Sequence, residues 1–283
     1  MRWQWSDTLG ASCAGGAAFQ QSPDYGLAAR ACGARVDAAV LRDGDQVLAT
    51  VQILRRRGLA ALLRGPVWTE EMALADRRRA LRRLARQGAV LIATPEVALP
   101  GPGIVPLLTP RHVALWDLRP DPDDLRRGLA GKWRNALTAA ERRGIVAQTA
   151  PINALPQLIA AEAAQRRARG YRALPGAFTL ALPPDSLRLW QWCRGGRAHA
   201  LMCFVRHGPW ATYHLGHAED LARSAGAHRV MLWQAALALR AEGVRTLDLG
   251  DINTEDAIGL ARFKLGTGAD LRALGPTCWV LPG

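Results

Sequence analysis

LDLGDINTEDAIGLARFKLGTGAD, residues 247–270, holds a strand, a turn, a short helix and a glycine loop in one stretch, and their order decides the fold. Leu247, Leu249 and the residues leading into them read as a short buried strand that ends where Gly250-Asp251 turns the chain. Thr254 has the chemistry to cap a short helix running through Arg262. Phe263 would then anchor the helix exit and project Lys264 into the Gly266-Thr267-Gly268 loop, where missing side chains let a ligand approach the backbone. Strand, turn and helix in this order are a unit of a protein that mixes helices with a sheet.

The same grammar extends outward. Residues 228–243 form a helix that is apolar nearly all round and therefore buried. Before it, 187–218 supplies three strands separated by Gly195-Gly196 and by His207-Gly208-Pro209. Segment 121–144 reads as one long helix opened by aspartates and closed by Gly144, and 152–170 as another. The strand at 111–118 precedes both. The first part of the chain repeats this pattern on a smaller scale. Ser22 caps a helix with Pro23 at its first position, and a hairpin turns at Asp43-Gly44-Asp45. Residues 62–68 read as a strand, 69–88 as an amphipathic helix capped by Thr69, and 89–94 as a short buried strand. The Pro/Gly-dense stretch 95–110 is the expected boundary, and 278–281 a last strand. The expected fold is α/β of the α+β kind. Two tandem units, 1–110 and 111–283, each carry a mixed, mostly antiparallel sheet flanked by helices, with a cleft between them.

Composition adds a second kind of signal. Of the 37 basic residues 35 are arginine, so the two lysines, Lys132 and Lys264, stand where a compact titratable ammonium has been kept over a planar guanidinium. The net charge of +13 favours polyanions such as RNA, nucleotides or an anionic membrane surface. Five scattered cysteines without a CxxC pair predict reduced thiols and a cytoplasmic protein, not a disulfide frame or a zinc site. The N-terminal stretch around Cys13 lacks the apolar core of a lipoprotein signal, and no uncharged apolar run is long enough to cross a membrane.

Three further constellations bear on chemistry. On the helical wheel Leu125, Leu129, Trp133, Ala136 and Ala140 form an apolar stripe with Lys132 at its edge. Lys132 there either binds an anion, beside a basic outer face of Arg134, Arg142 and Arg143, or simply lays its stem on the core. The turn Arg223 to Ala227 before the buried helix partly matches the pyrophosphate loop of CoA-dependent acetyltransferases: Arg223, Gly226 and Ala227 fit, and His228 stands where a small residue belongs. Tyr213 and His214 alternate on a strand, so one faces the sheet's core and the other a cleft, and either positions a substrate or packs the core. His207, His214, His217 and Asp251 have no zinc-ligand spacing, and no metal is expected.

Taken together, FQQSPDYG (19–26), RGPVW (64–68), KWRNALTAAERRG (132–144), LDLG (247–250) and GLARFKLGTGAD (259–270) resemble the Fem-type aminoacyltransferases and their GNAT-like relatives, in the family's order and over nearly the whole chain. The resemblance implies two GNAT-like subdomains and transfer of an amino acid from aminoacyl-tRNA to an amine on a peptidoglycan precursor or another small or lipid-linked acceptor. It implies no metal or tightly bound cofactor. Lys264 matches the family lysine near the tRNA end and the reacting ester, and the basic surface would hold the tRNA backbone. Lys132, Arg134 and Asn135 become candidates for binding phosphate, with Tyr213, His214, Phe263 and Gly266 around the substrate. Asp117, at a strand end, is the candidate general base. The family's helical-hairpin arm has no counterpart here, so the acceptor is not restricted to a peptidoglycan precursor; peripheral contact with the inner membrane surface is a separate expectation. The alternative enzyme is a CoA-dependent N-acyltransferase using Arg223 to Ala227. A non-catalytic RNA-binding protein is the reading from another class.

Overall fold

The structure is a computed structural model that describes residues 1–7, 16–56, 58–88 and 90–283. The N-terminal stretch around Cys13 lies outside the described residues. The chain divides into two compact units, Met1–His112 with Ala273–Gly283, and Val113–Arg272. The division falls two residues after the expected boundary, and the C-terminal segment belongs to the first unit, not the second.

The first unit opens with β1 (Arg2–Ser6), α1 (Pro23–Ala31), β2 (Arg35–Asp43) and β3 (Gln46–Arg56). The Ser22 hydroxyl accepts from Tyr25 N with Pro23 at the first helical position, as the sequence suggests. The β2–β3 hairpin turns on Gly44, whose φ of 57° needs a residue without Cβ. β4 (Leu59–Leu63) and β5 (Val67–Trp68) follow. They replace the single strand expected over 62–68, because the chain breaks at Arg64, where φ is positive. α2 (Leu74–Leu84) starts five residues later than expected. Thr69 does not cap it; its hydroxyl donates to Val47 O and fastens the chain to β3. β6 (Val90–Ala93) and β7 (Ile104–Leu108) complete the unit, so the Pro/Gly-dense stretch contains a strand. The sheet runs β1-β2-β3-β4-β6, then the closing strand Thr277–Val280, then β7, with β5 on β3. The β4–β6 pair is parallel and the other pairs are antiparallel.

The second unit contains β8 (His112–Asp117), α3 (Pro122–Gly128), α4 (Gly131–Arg142), β9 (Gln148–Thr149), α5 (Leu155–Arg169) and α6 (Gly176–Leu180). Then come β10 (Leu187–Arg194), β11 (Arg197–His207), β12 (Trp210–Ala218), α7 (Asp220–Ala225), α8 (Ala227–Ala241), β13 (Thr246–Asp251), α9 (Ile258–Leu265) and β14 (Asp270–Ala273). The sheet order is β14-β8-β13-β12-β11-β10-β9. β12 and β13 are parallel, because a helix, α8, carries the chain from one to the other. α8 buries Val230, Met231, Leu232, Ala235 and Ala236 completely, in the core that also takes Trp116, Trp133, Phe204 and Leu247. This fits its apolar circumference.

Two expectations fail in this unit for local reasons. The long helix over 121–144 is two helices, α3 and α4, interrupted at Leu129-Ala130. Asp121 caps α3 by accepting from Asp124 N. At the interruption Ala130 N donates to Gly266 O, and a Cβ on Gly268 would sit 2.6 Å from Gly128 O, so the glycine loop after α9 occupies the space a continuous helix would need. Thr254 is not a helix cap either. α9 begins at Ile258, and the preceding turn is held by Asn253, whose Oδ1 accepts from Glu255 N and Asp256 N.

Candidate active site

The site is built where the β12–β13 ladder ends. The parallel pairing covers Trp210–Thr212 against Thr246–Asp248 and goes no further, although both strands continue. Beyond that point β12 carries Tyr213 to Ala218 and β13 carries Leu249 to Asp251. The opening is reinforced by a bulge. Tyr213 pairs with Phe204 and Leu215 with Cys203, which leaves His214 without an opposite residue. A bulge re-aims the side chains that follow it. Tyr213, paired opposite Phe204 just before the bulge, packs on it in the α8-side core, at 5.5 Å between ring centroids, and burial pushes its phenol up. His214 instead meets α6: Nε2 lies 2.9 Å from Thr179 Oγ1, Phe178 packs nearby, and burial pushes its pKa down to about 4.

Lys264 supplies the cation on the β13 side. It lies in the last turn of α9, is 6% exposed, and donates from Nζ to Asp251 O at 2.8 Å. It is therefore not projected into the Gly266–Gly268 loop, as the sequence suggested, but turned back onto the end of β13. A Cβ on Gly250 would sit 3.6 Å from Nζ. Burial lowers the Lys264 pKa below the usual lysine value, while Asp251 and Asp248 oppose that shift and favour the ammonium. Asp248 is buried, and its Oδ1 accepts from Gly250 N at 2.7 Å, which fixes the turn that presents Asp251 O.

What holds Lys264 in place is the helix that carries the other lysine. Trp133 Nε1 donates to Phe263 O at 3.0 Å, the Trp133 and Phe263 rings pack at 6.2 Å, and a Cβ on Gly266 would lie 2.4 Å from Trp133 Cδ1. Phe263 also packs on His228, 5.1 Å away, and burial pushes His228 down to about 4. The KWRN and FKLGTG segments thus form one joint. Their lysines differ in role, since Lys132 is exposed and Lys264 buried. Arg134 donates to Arg127 O across the α3–α4 interruption, and Asn135, with Thr138, Arg142 and Arg143, lines a shallow open depression on the outer face of α4.

Asp117 is not part of this site. It pairs with Thr246 at the start of β13, whereas Lys264 bonds Asp251 at its end, opposite Val113, which lies four residues and about 13 Å from Asp117 along β8. The Arg119 guanidinium beside it holds its carboxyl below the ordinary range, which makes a poor base. The turn at Arg223 to Ala227 is a helix-to-helix junction, with Gly226 left-handed at φ 79° between α7 and α8. There Arg223 bonds Asp220 and Ala218 O. His207 bonds Thr212 Oγ1, away from His214, and among the described residues no three His, Cys, Asp or Glu side chains gather for a metal. The sequence reading passed over Asp248, Trp133 as a donor, and Thr267, which is fully buried and donates to Lys264 O at 2.7 Å. All three lay inside quoted motifs, but their hydrogen bonds depend on how the fold sets the backbone around them.

A family model for the acetyltransferase (GNAT) domain matches residues 118–269. The chain belongs to the GNAT family. Among curated proteins none matches it by sequence. Its fold is similar to that of FemX, with a TM-score of 0.72 at 14% identity over 91% of each chain. A Bacteroides thetaiotaomicron protein of unknown function gives 0.60 at 13% identity, covering 91% of this chain and 90% of the other. The C-terminal domain of a putative lysylphosphatidylglycerol synthetase from Agrobacterium fabrum gives 0.55 at 13% identity, covering 93% and 89%. The two-sheet, Fem-like GNAT fold expected from the sequence is the one found, and the protein is an acyltransferase of GNAT-like fold. No helix among the described residues is long and apolar enough to cross a membrane.

Proposed function

We propose that this GNAT protein is an aminoacyltransferase that takes its acyl group from aminoacyl-tRNA and forms an amide on an amine acceptor, small or lipid-linked. The observation that carries the reading is the buried Lys264 ammonium at the end of β13, fixed by Asp251 O and by the Trp133–Phe263 joint. An aminoacyl ester is already activated, so the protein has to orient an unprotonated amine and stabilise charge. The amine nitrogen attacks the ester carbonyl, the oxyanion collapses, the C–O bond to the terminal ribose breaks, and the departing hydroxyl takes up the proton the amine loses. Lys264 stabilises the oxyanion or the adjacent tRNA terminus, and the +13 charge attracts the tRNA backbone in a salt-sensitive way. Lys132 and Arg134 bind phosphate. A carboxylate base is not needed, because the ester's leaving oxygen or the substrate's own groups accept the proton. The Fem resemblance and the likeness to a domain of a putative lysylphosphatidylglycerol synthetase support this donor over acyl-CoA. So does Arg223, whose guanidinium is already bonded within the junction that a pyrophosphate would need.

The test is single-turnover transfer. Purified protein is mixed with total tRNA charged with labelled amino acids in turn, and with amine-bearing small-molecule and lipid fractions. Label that becomes stable to alkali marks the amide. Acetyl-CoA binding by calorimetry, with no effect of protein on any charged tRNA, would overturn the proposal in favour of a CoA-dependent enzyme.

A further inference from the structure

We infer that the loop joining α5 to α6 is a docking surface for anionic lipid headgroups. Residues 163–184 contain Arg166, Arg167, Arg169 and Arg172 and no acidic residue. Across 167–175 every residue is exposed, and apolar groups stand among the arginines: Tyr171, Leu174 and, at the end of α6, Leu180, which is 59% exposed.

The loop is organised, not merely open. Gly170 ends α5 in the left-handed conformation at φ 71°. The Arg166 guanidinium turns back and donates to Leu174 O at 3.1 Å, and the Tyr171 hydroxyl donates to the buried carboxylate of Glu162 and accepts from Gln165 Nε2. These bonds use Arg166 and the tip of Tyr171 internally, and leave Arg167, Arg169 and Arg172 on the surface. Glu219, after β12, is already bound by Arg197 and His199.

Exposed cations interleaved with exposed leucines match the boundary of an anionic bilayer: phosphates take the guanidinium groups, and the acyl region takes Leu174 and Leu180. A nucleic acid surface would use the arginines but has no place for two exposed leucines. The proposal is independent of the acyl donor, and it supplies a way for the protein to work on a lipid-linked amine.

The experiment is co-sedimentation of the full chain with vesicles of 30% phosphatidylglycerol in phosphatidylcholine, and with pure phosphatidylcholine, over a salt series. Binding to the anionic vesicles alone, weakening with salt, is expected. Arg169→Gln with Arg172→Gln should lower partitioning about thirtyfold, at about fivefold per cation near the surface. Leu174→Ser with Leu180→Ser should lower it at unchanged salt slope. All four positions are exposed, so circular dichroism should show native folding throughout. The inference falls if the protein stays in solution with anionic vesicles at low salt, or if neither double variant changes binding. It also falls if the arginine pair abolishes retention on immobilised poly(U) while the leucine pair changes nothing in either assay, which would make the loop an RNA surface. Loss of transfer from charged tRNA leaves these readouts untouched, so the two proposals fail separately.

Discussion

Replacing Gly266 with alanine tests the joint on which the site rests. The backbone there is right-handed, with φ −64° and ψ −14°, so alanine brings no conformational strain and the effect is purely one of space. The new Cβ would lie 2.4 Å from Trp133 Cδ1 and 3.0 Å from Cγ. Trp133 cannot swing aside freely, because it is 4% exposed and its indole N–H is bonded to Phe263 O. Overpacking of a tight core costs about 1–3 kcal/mol, and loosening the indole bond adds about 1 kcal/mol. For a unit of this size each kcal/mol moves the midpoint by about 2–4 °C, so the second unit should melt about 4–16 °C lower by circular dichroism. Gly259→Ala on the same helix is the control. Nothing lies within 4 Å of its Cβ position, and it should gain about 0.4–1 kcal/mol from reduced freedom of the unfolded chain. Equal midpoints for the two variants would show that α4 and α9 are not locked together, and would remove the structural reason for placing Lys264 where it is.

The other predictions concern charge. Lys264→Met keeps the stem but deletes the ammonium, and should lower transfer about 10²–10³-fold, the usual loss of one oxyanion donor, while the protein stays folded; stopped-flow or quench-flow transfer assays read it. Asp117→Asn should change the same rate by less than about threefold, since the carboxylate lies at the far end of β13 and is held by Arg119. Acid should destabilise the second unit through His214 and His228. Both are pushed down to about 4 by burial, so between pH 6.5 and about 4 the unfolded chain binds protons that the folded chain does not. Stability is then fully present above pH 6.5 and falls as pH drops toward 4. Melting curves at pH 7.5 and 4.5 should show a smaller acid loss for His214→Gln with His228→Gln than for the native chain.

Much of the fold was legible because local chemistry and tertiary context agreed. Ser22-Pro23 capped α1, Asp43-Gly44-Asp45 turned the hairpin, and the all-round apolar α8 was buried. The errors share a cause. Thr69 and Thr254 had the right side chain for a cap, but other partners decided the geometry: Val47 O took the first hydroxyl, and Asn253 formed the turn before α9. The break between α3 and α4 was likewise invisible, since it is imposed by Gly266 and Gly268 from more than a hundred residues away.

The same limit explains why the lysines were recognised as exceptional without their roles being assigned. Composition marked both, but burial separates them. At position 264 the ammonium reaches Asp251 O from a nearly closed site that also contains the Gly250 turn and the Asp248 carboxylate. A guanidinium is larger and planar and must satisfy five N–H donors, whereas the Lys264 ammonium is compact and bonds one carbonyl, Asp251 O. Arginine there would either displace the β13 turn or bury unsatisfied donors, which cost about 1–3 kcal/mol each. At position 132 the side chain is exposed, and nothing in its surroundings discriminates against arginine. Lys132→Arg should therefore leave transfer and stability unchanged, while Lys264→Arg should lose most activity and some stability. If both variants behave alike in the transfer assay and in thermal melts, the preference for lysine at 264 has no structural basis.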